Sequence, residues 1–143
     1  MATAHDVADF ILAKLGAMSA MKLQKLVYYS QAWHLTWAEK PLFENQIQAW
    51  ANGPVVPALY QAHKGKFLLE PGFFGGKPDA LSDDERDTVE RVLGAYGDKS
   101  PQWLSDLTHA ESPWRDARAG IPDGDRGETT IGHDAMVEYY SSL

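Results

Sequence analysis

The stretch Lys22-Leu23-Gln24-Lys25-Leu26-Val27-Tyr28-Tyr29-Ser30-Gln31-Ala32-Trp33-His34 decides how this chain folds. At about 100° per residue, Leu23, Leu26, Val27, Ser30, Trp33, His34 and Trp37 share one side of a helix, and Met21, Tyr28, Ala32 and Leu35 share the opposite side. Lys22, Lys25 and Tyr29 separate them on one edge, Gln24 and Gln31 on the other. A helix apolar on two sides is sandwiched between neighbours, so this segment is predicted to be the central helix, about residues 20–38. Ser19 caps its start, and Pro41 ends it near Glu39. Tyr28 and Tyr29 point about 100° apart, so one face cannot bury both. At least one of them is expected in a partner contact or a polar network.

Working outward, a first amphipathic helix starts at Thr3 or Asp6 and runs to about Leu15, with Gly16 at its end. Leu42 to Trp50 alternates partly, through Phe43, Ile47 and Ala49, and leaves room for one short β element near residues 43–50. A second dense segment, Trp50-Ala51-Asn52-Gly53-Pro54-Val55-Val56-Pro57-Ala58-Leu59-Tyr60, makes a turn at Gly53-Pro54. It then enters a helix with Pro54 or Pro57 in the first turn. Glu70 to Ala80, rich in Gly and Pro, reads as an exposed loop. Ser82-Asp83-Asp84-Glu85 is a capping box opening a helix whose Val89, Val92, Leu93 and Tyr96 share a face. Ser100-Pro101 and Ser112-Pro113 each read as an N-cap followed by Pro at the first helical position, starting helices over Gln102–Ala110 and Trp114–Arg118. Pro122 to Glu128 reads as a mobile loop, and His133 to Tyr140 as a closing helix. The predicted fold class is mainly α, a compact single domain over residues 1–143 built around the central helix.

Composition agrees with one domain: 143 residues, 44% hydrophobic and 11% aromatic, supply enough apolar material for a sizeable core. The five Trp are expected to anchor its packing, with Trp33 at the centre. The absence of cysteine excludes disulfides and Cys-based zinc sites and suits a reducing cytoplasm. The N-terminus lacks the basic region and apolar run of a signal peptide, and no apolar stretch approaches the roughly 20 residues that span a bilayer. A cytoplasmic location without membrane contact is expected. The net charge of −7 is uneven: residues 1–77 hold seven Lys/Arg against five Asp/Glu, residues 78–143 six against fifteen. So acidic a second half repels nucleic acid and complements a basic protein partner.

Catalytic signatures are scarce. The chain contains no G-x-x-x-x-G-K-[ST], G-x-S-x-G or H-E-x-x-H, and Gly72-Phe73-Phe74-Gly75-Gly76 lacks the strand-to-helix context of a phosphate loop. His5, His34, His63, His109 and His133 lie far apart, and only Asp106 and His109 share a helix face at metal-ligand spacing. Ser30, Ser100, Ser105 and Thr108 each have an ordinary capping or helix-interior role beside that of a His-activated nucleophile. Neither a catalytic residue nor a metal or other cofactor is assigned. A metal-dependent or His-assisted hydrolase using His34 or His109 is the alternative from another class.

The segment Lys22–His34, then Lys40-Pro41-Leu42-Phe43, then Ala49–Pro57 with Tyr60, resembles the signature of the Panacea (pan-antitoxin) domain family, known through SocA-like and phage-associated GepA-like proteins. Leu107-Thr108-His109 and Ser112-Pro113-Trp114 resemble the C-terminal motif of the same family. These matches span nearly the whole chain in the expected order. The resemblance implies a mostly helical antitoxin that neutralises a cognate toxin by direct protein–protein binding, or, for SocA-like members, delivers it to a cytoplasmic protease. With no separate DNA-binding domain or long tail visible, the folded domain itself is expected to hold the toxin. The expected contact residues are Lys22, Lys25 and Tyr29 on the helix edge, Trp50, Asn52 and Gly53 at the turn, and Tyr60 and Trp114. The competing reading assigns these positions to the scaffold and specificity to the Phe67–Lys77 loop and the acidic half.

Overall fold

Ser19 turns the chain into its longest helix, its hydroxyl accepting from the Lys22 backbone N–H at 3.1 Å. In the computed structural model, which describes residues 1–143, this helix is α2 (Ala20–Ala38), and Glu39 closes it in a left-handed conformation at φ 59°. The helix α1 (Ala4–Leu15) precedes it, started by a reciprocal capping box between Thr3 and Asp6. Then come α3 (Pro57–His63), α4 (Asp83–Tyr96), α5 (Pro101–Ala110), α6 (Ser112–Ala117) and α7 (His133–Tyr140). Strands are confined to two antiparallel pairs: β1 (Met18–Ser19) with β4 (Leu68–Leu69), and β2 (Gln48–Trp50) with β3 (Gly53–Val55). The fold is mainly α, as expected, and the short β element near residues 43–50 is β2.

The central position of α2 is confirmed, and it goes further than two apolar sides. Every residue from Leu23 to Ala32 is buried, including Lys25, Tyr29, Gln24 and Gln31. Helices α1, α4, α5 and α7 and the β2–β3 hairpin pack around it, so mid-helix positions have no solvent edge. The edge assignment of Lys25 and Tyr29 is therefore corrected. Polar side chains survive in this environment because backbone groups of the loops need partners. Gln31 donates to Phe43 O at 2.7 Å and accepts from Leu42 N at 2.7 Å, which holds the irregular 41–47 segment against the helix.

Tryptophan contributes less to the core than its size suggests. Trp37 is 47% and Trp103 44% exposed, Trp33 and Trp50 are half-buried, and Trp114 alone is buried. Tyr28, Tyr29 and Tyr140 are the large buried rings instead. Met21, expected on an apolar side, is 42% exposed, because α2 leaves the core at both ends.

Two further expectations change. Ser112 is not an N-cap: α5 and α6 are separated by Glu111 alone, which takes both cap positions while its side chain turns inward. The Glu70–Ala80 loop is exposed in part but tied to α1. Asp9 accepts from Phe74 N at 3.2 Å and Gly76 N at 2.6 Å, and Asp6 accepts from Lys77 N at 2.8 Å. All seven helices contribute to one contiguous hydrophobic core. No helix is long and apolar enough to cross a membrane.

Candidate functional site

Trp50, Asn52 and Gly53 sit at the β2–β3 hairpin, which lies across α2. Ala51 and Asn52 keep negative φ, so Gly53 takes the positive φ of 127° that the turn requires. Its missing side chain matters as much: a Cβ there would stand 2.8 Å from Lys25 Cε and 3.2 Å from Nζ. The glycine thus lets the hairpin backbone close over the lysine stem. Trp114 supports the hairpin, donating from Nε1 to Trp50 O at 2.8 Å. His109 lies 3.2 Å from Ala51 O through Nε2 and 2.5 Å from Ser105 O through Nδ1, with its ring 4.0 Å from that of Trp114. Ser105 Oγ donates to Asn52 O at 3.4 Å. Trp114, His109 and Ser105 together fasten the hairpin to α5 and α6.

In front of the hairpin lies a cleft of about 800 Å³. Its floor includes Lys25 and Gln24 of α2, its walls Trp50, Asn52 and Tyr60, and its rim Lys64, Arg126 and Glu128. The rings of Trp50 and Tyr60 meet edge to face at 4.9 Å. Gln24 joins α2 to the start of α3, donating to Val56 O at 3.3 Å and accepting from Val56 N at 2.9 Å, and its Nε2 lies 3.0 Å from His63 Nε2. Burial pushes the imidazole of His63 below its ordinary value.

Lys25 is only 2% exposed, yet its ammonium makes no hydrogen bond or ion pair with the protein. Loss of hydration lowers its pKa from 10.5 to about 8. Arg126 and Glu128 pair with each other at 3.2 Å, which leaves Lys25 and Lys64 as uncompensated cations of the lining. In a chain of charge −7 this cleft is locally positive.

The far wall is brought in by Arg118, a buried guanidinium with no carboxylate partner. It donates to Ala49 O at 3.1 Å, Pro122 O at 3.3 Å and Asp125 O at 2.6 Å. Ala49 N in turn donates to Thr129 O at 2.8 Å, and Gln48 bridges to Thr130. The Pro122–Glu128 loop, expected as mobile, is therefore anchored to the hairpin.

Of the eight predicted contact residues, Lys25, Trp50, Asn52 and Tyr60 line this cleft and Gly53 backs it. Lys22 is half-buried outside it, and Trp114 supports it from behind. Tyr29 is elsewhere, in a buried network of α2, the α5–α6 junction and α7. It donates to Glu111 Oε1 at 2.7 Å, Tyr140 donates to the same oxygen at 2.8 Å, and Tyr28 and Tyr140 hydroxyls are 3.0 Å apart. Burial raises the Glu111 carboxyl above its ordinary value, and the two tyrosine hydroxyls oppose that shift. Of the two readings of Tyr28 and Tyr29, the polar network is the one found, and it includes both. Gln24, His63, Lys64, Arg126 and Glu128 were not predicted. A Gln inside an otherwise apolar helix was a usable signal; nothing in the sequence ties Arg126 and Glu128 to residues so distant in the chain.

No three His, Asp or Glu side chains converge in a metal-binding group. His34 Nδ1 lies 2.8 Å from Thr88 Oγ1, and its Nε2 is buried without a partner.

The fold is thus a mainly helical domain with an aromatic-walled, cationic cleft. Residues 23–115 match the family described as antitoxin SocA-like, Panacea domain, and the chain belongs to that family. It is also 31% identical over 130 residues to antitoxin SocA of Caulobacter vibrioides (strain NA1000 / CB15N), an alignment covering 78% of this chain and 68% of that protein. No solved structure matches the chain.

Proposed function

We propose that this protein is the antitoxin of a toxin–antitoxin pair, acting in the cytoplasm by binding its cognate toxin through the folded domain and without catalysis. The observation that carries the binding mode is the cleft, where the unpaired ammonium of the largely covered Lys25 opens beside the half-buried rings of Trp50 and Tyr60. Rings supply contact area at low entropic cost, and an unpaired cation gains a partner only from outside the chain. Family membership supports the antitoxin role.

The test is co-expression with the product of the neighbouring gene. That product alone should arrest growth, the present chain should restore it, and the two should co-purify. A neighbour that is harmless, or that kills cells equally well beside this chain, removes the proposal. Rescue that persists in hosts lacking their cytoplasmic proteases separates direct binding from proteolytic delivery.

A further inference from the structure

Burying a lone ammonium is costly, and a chain that keeps one at the floor of an open cleft retains it against folding stability. Lys25 is such a group. Its stem is covered by the Gly53 backbone, where a Cβ would stand 2.8 Å from Cε, and the side chain is 2% exposed, so only the tip of the ammonium meets the cleft. No carboxylate of the chain reaches it, although the chain has twenty Asp and Glu. Glu128, the acidic member of the lining, is paired with Arg126. The second cation of the lining, Lys64, adds to the positive field, Asn52 offers a polar group without negative charge, and the Gln24 amide is already engaged by Val56 and His63.

We propose that this cleft is a carboxylate-recognition site: Lys25 receives the side chain of an Asp or Glu in an extended segment of the protein partner, with apolar residues flanking that acid against Trp50 and Tyr60. The assignment deepens the binding reading above and rests on it for the nature of the partner. The cleft volume of about 800 Å³ accommodates several residues, not one side chain alone. An ammonium–carboxylate bond formed in a site this sequestered from water is stronger than its surface counterpart and selects against the amide isostere, which brings no charge. The partner then presents an acidic tooth to the cleft, whatever the charge of the rest of its surface.

The experiment titrates the isotope-labelled protein, by NMR, with three blocked or half-blocked pentapeptides. One carries a central Glu between Leu and Phe, one the same sequence with Gln, and one the Gln sequence with a free C-terminal carboxylate. The Glu peptide should produce saturable shifts at Lys25, Trp50, Gly53 and Tyr60, with affinity about tenfold or more above the Gln peptide. Lys25→Met should bring the Glu peptide down to the Gln level. Equal affinity for Glu and Gln, shifts centred outside the cleft, or binding by the free C-terminus alone would each overturn the assignment. Should Lys25→Met not fold, the Glu–Gln comparison on the unaltered protein decides. A failed titration leaves toxin neutralisation in cells untouched, so the two proposals fall separately.

Discussion

Replacing Lys25 separates folding from binding. Its folded pKa of about 8 lies below the ordinary 10.5, so the charged form is penalised in the fold and the penalty is fully present below pH 8. It is relieved as pH rises from 8 towards 10.5, and its upper size is about 3 kcal/mol. Lys25→Met is therefore expected to unfold at an equal or higher temperature than the natural chain at pH 7, with the difference shrinking by pH 10, while neutralisation is lost. A thermal scan at both pH values checks this, and a large drop in Tm at pH 7 would contradict it. Tyr29 behaves in the opposite way. Its ring is fully buried and stacked on Tyr96 at 4.3 Å, so Tyr29→Ala should cost about 3 to 5 kcal/mol. Tyr29→Phe keeps the packing, deprives Glu111 of one donor, and should cost about 1 to 3 kcal/mol. Urea denaturation distinguishes the three; unchanged midpoints would mean that the ring is peripheral.

At the level of elements, the β2–β3 hairpin is held at several points, among them the glycine at its turn, Trp114 behind it and Arg118 at its base. Gly53→Ala should destabilise by about 1 to 3 kcal/mol, since it strains the backbone at φ 127° and drives a methyl into the Lys25 stem. Gly124, at φ 84° with open space around its Cα, bears only the backbone strain, so Gly124→Ala should cost less. Arg118→Ala removes the guanidinium that gathers three carbonyls from the hairpin and the Pro122–Asp125 turn. Limited proteolysis should then cut between residues 122 and 128 well before the natural chain is cut there. Equal resistance would show that the backbone bonds of Ala49 and Ile131 hold the segment by themselves.

At the scale of the whole molecule, one core joins α1 at the N-terminus to α7 at the C-terminus through α2. We expect one cooperative unfolding transition, with the same midpoint by tryptophan fluorescence and by helical circular dichroism. Two separated midpoints would divide the chain into independently folding parts. The tyrosine–glutamate network reinforces this expectation, because it ties α2, α7 and the α5–α6 junction through one carboxylate oxygen.

The sequence by itself determined the helices, their order and most of their ends. Those features depend on groups within a few residues: a hydroxyl at Ser19, Ser82 or Ser100 reaching a backbone N–H three positions on, a proline that suits a first turn, and an apolar period of 3.6. It also determined family membership, which its motifs carry in order. Local reasoning failed at Ser112, where the two helices meet so closely that Glu111 replaces the cap. The tertiary structure alone decided which sides of α2 are closed. A helical wheel places Lys25 and Tyr29 on an edge, but exposure depends on whether distant segments cover that edge, and here the hairpin, α5 and α7 do. The same holds for the cleft: Lys25, Tyr60 and Arg126 become neighbours only when Arg118 and the hairpin carbonyls fix the 122–130 segment. Those contacts join residues far apart in the chain, so their energies have no local signature from which they can be read.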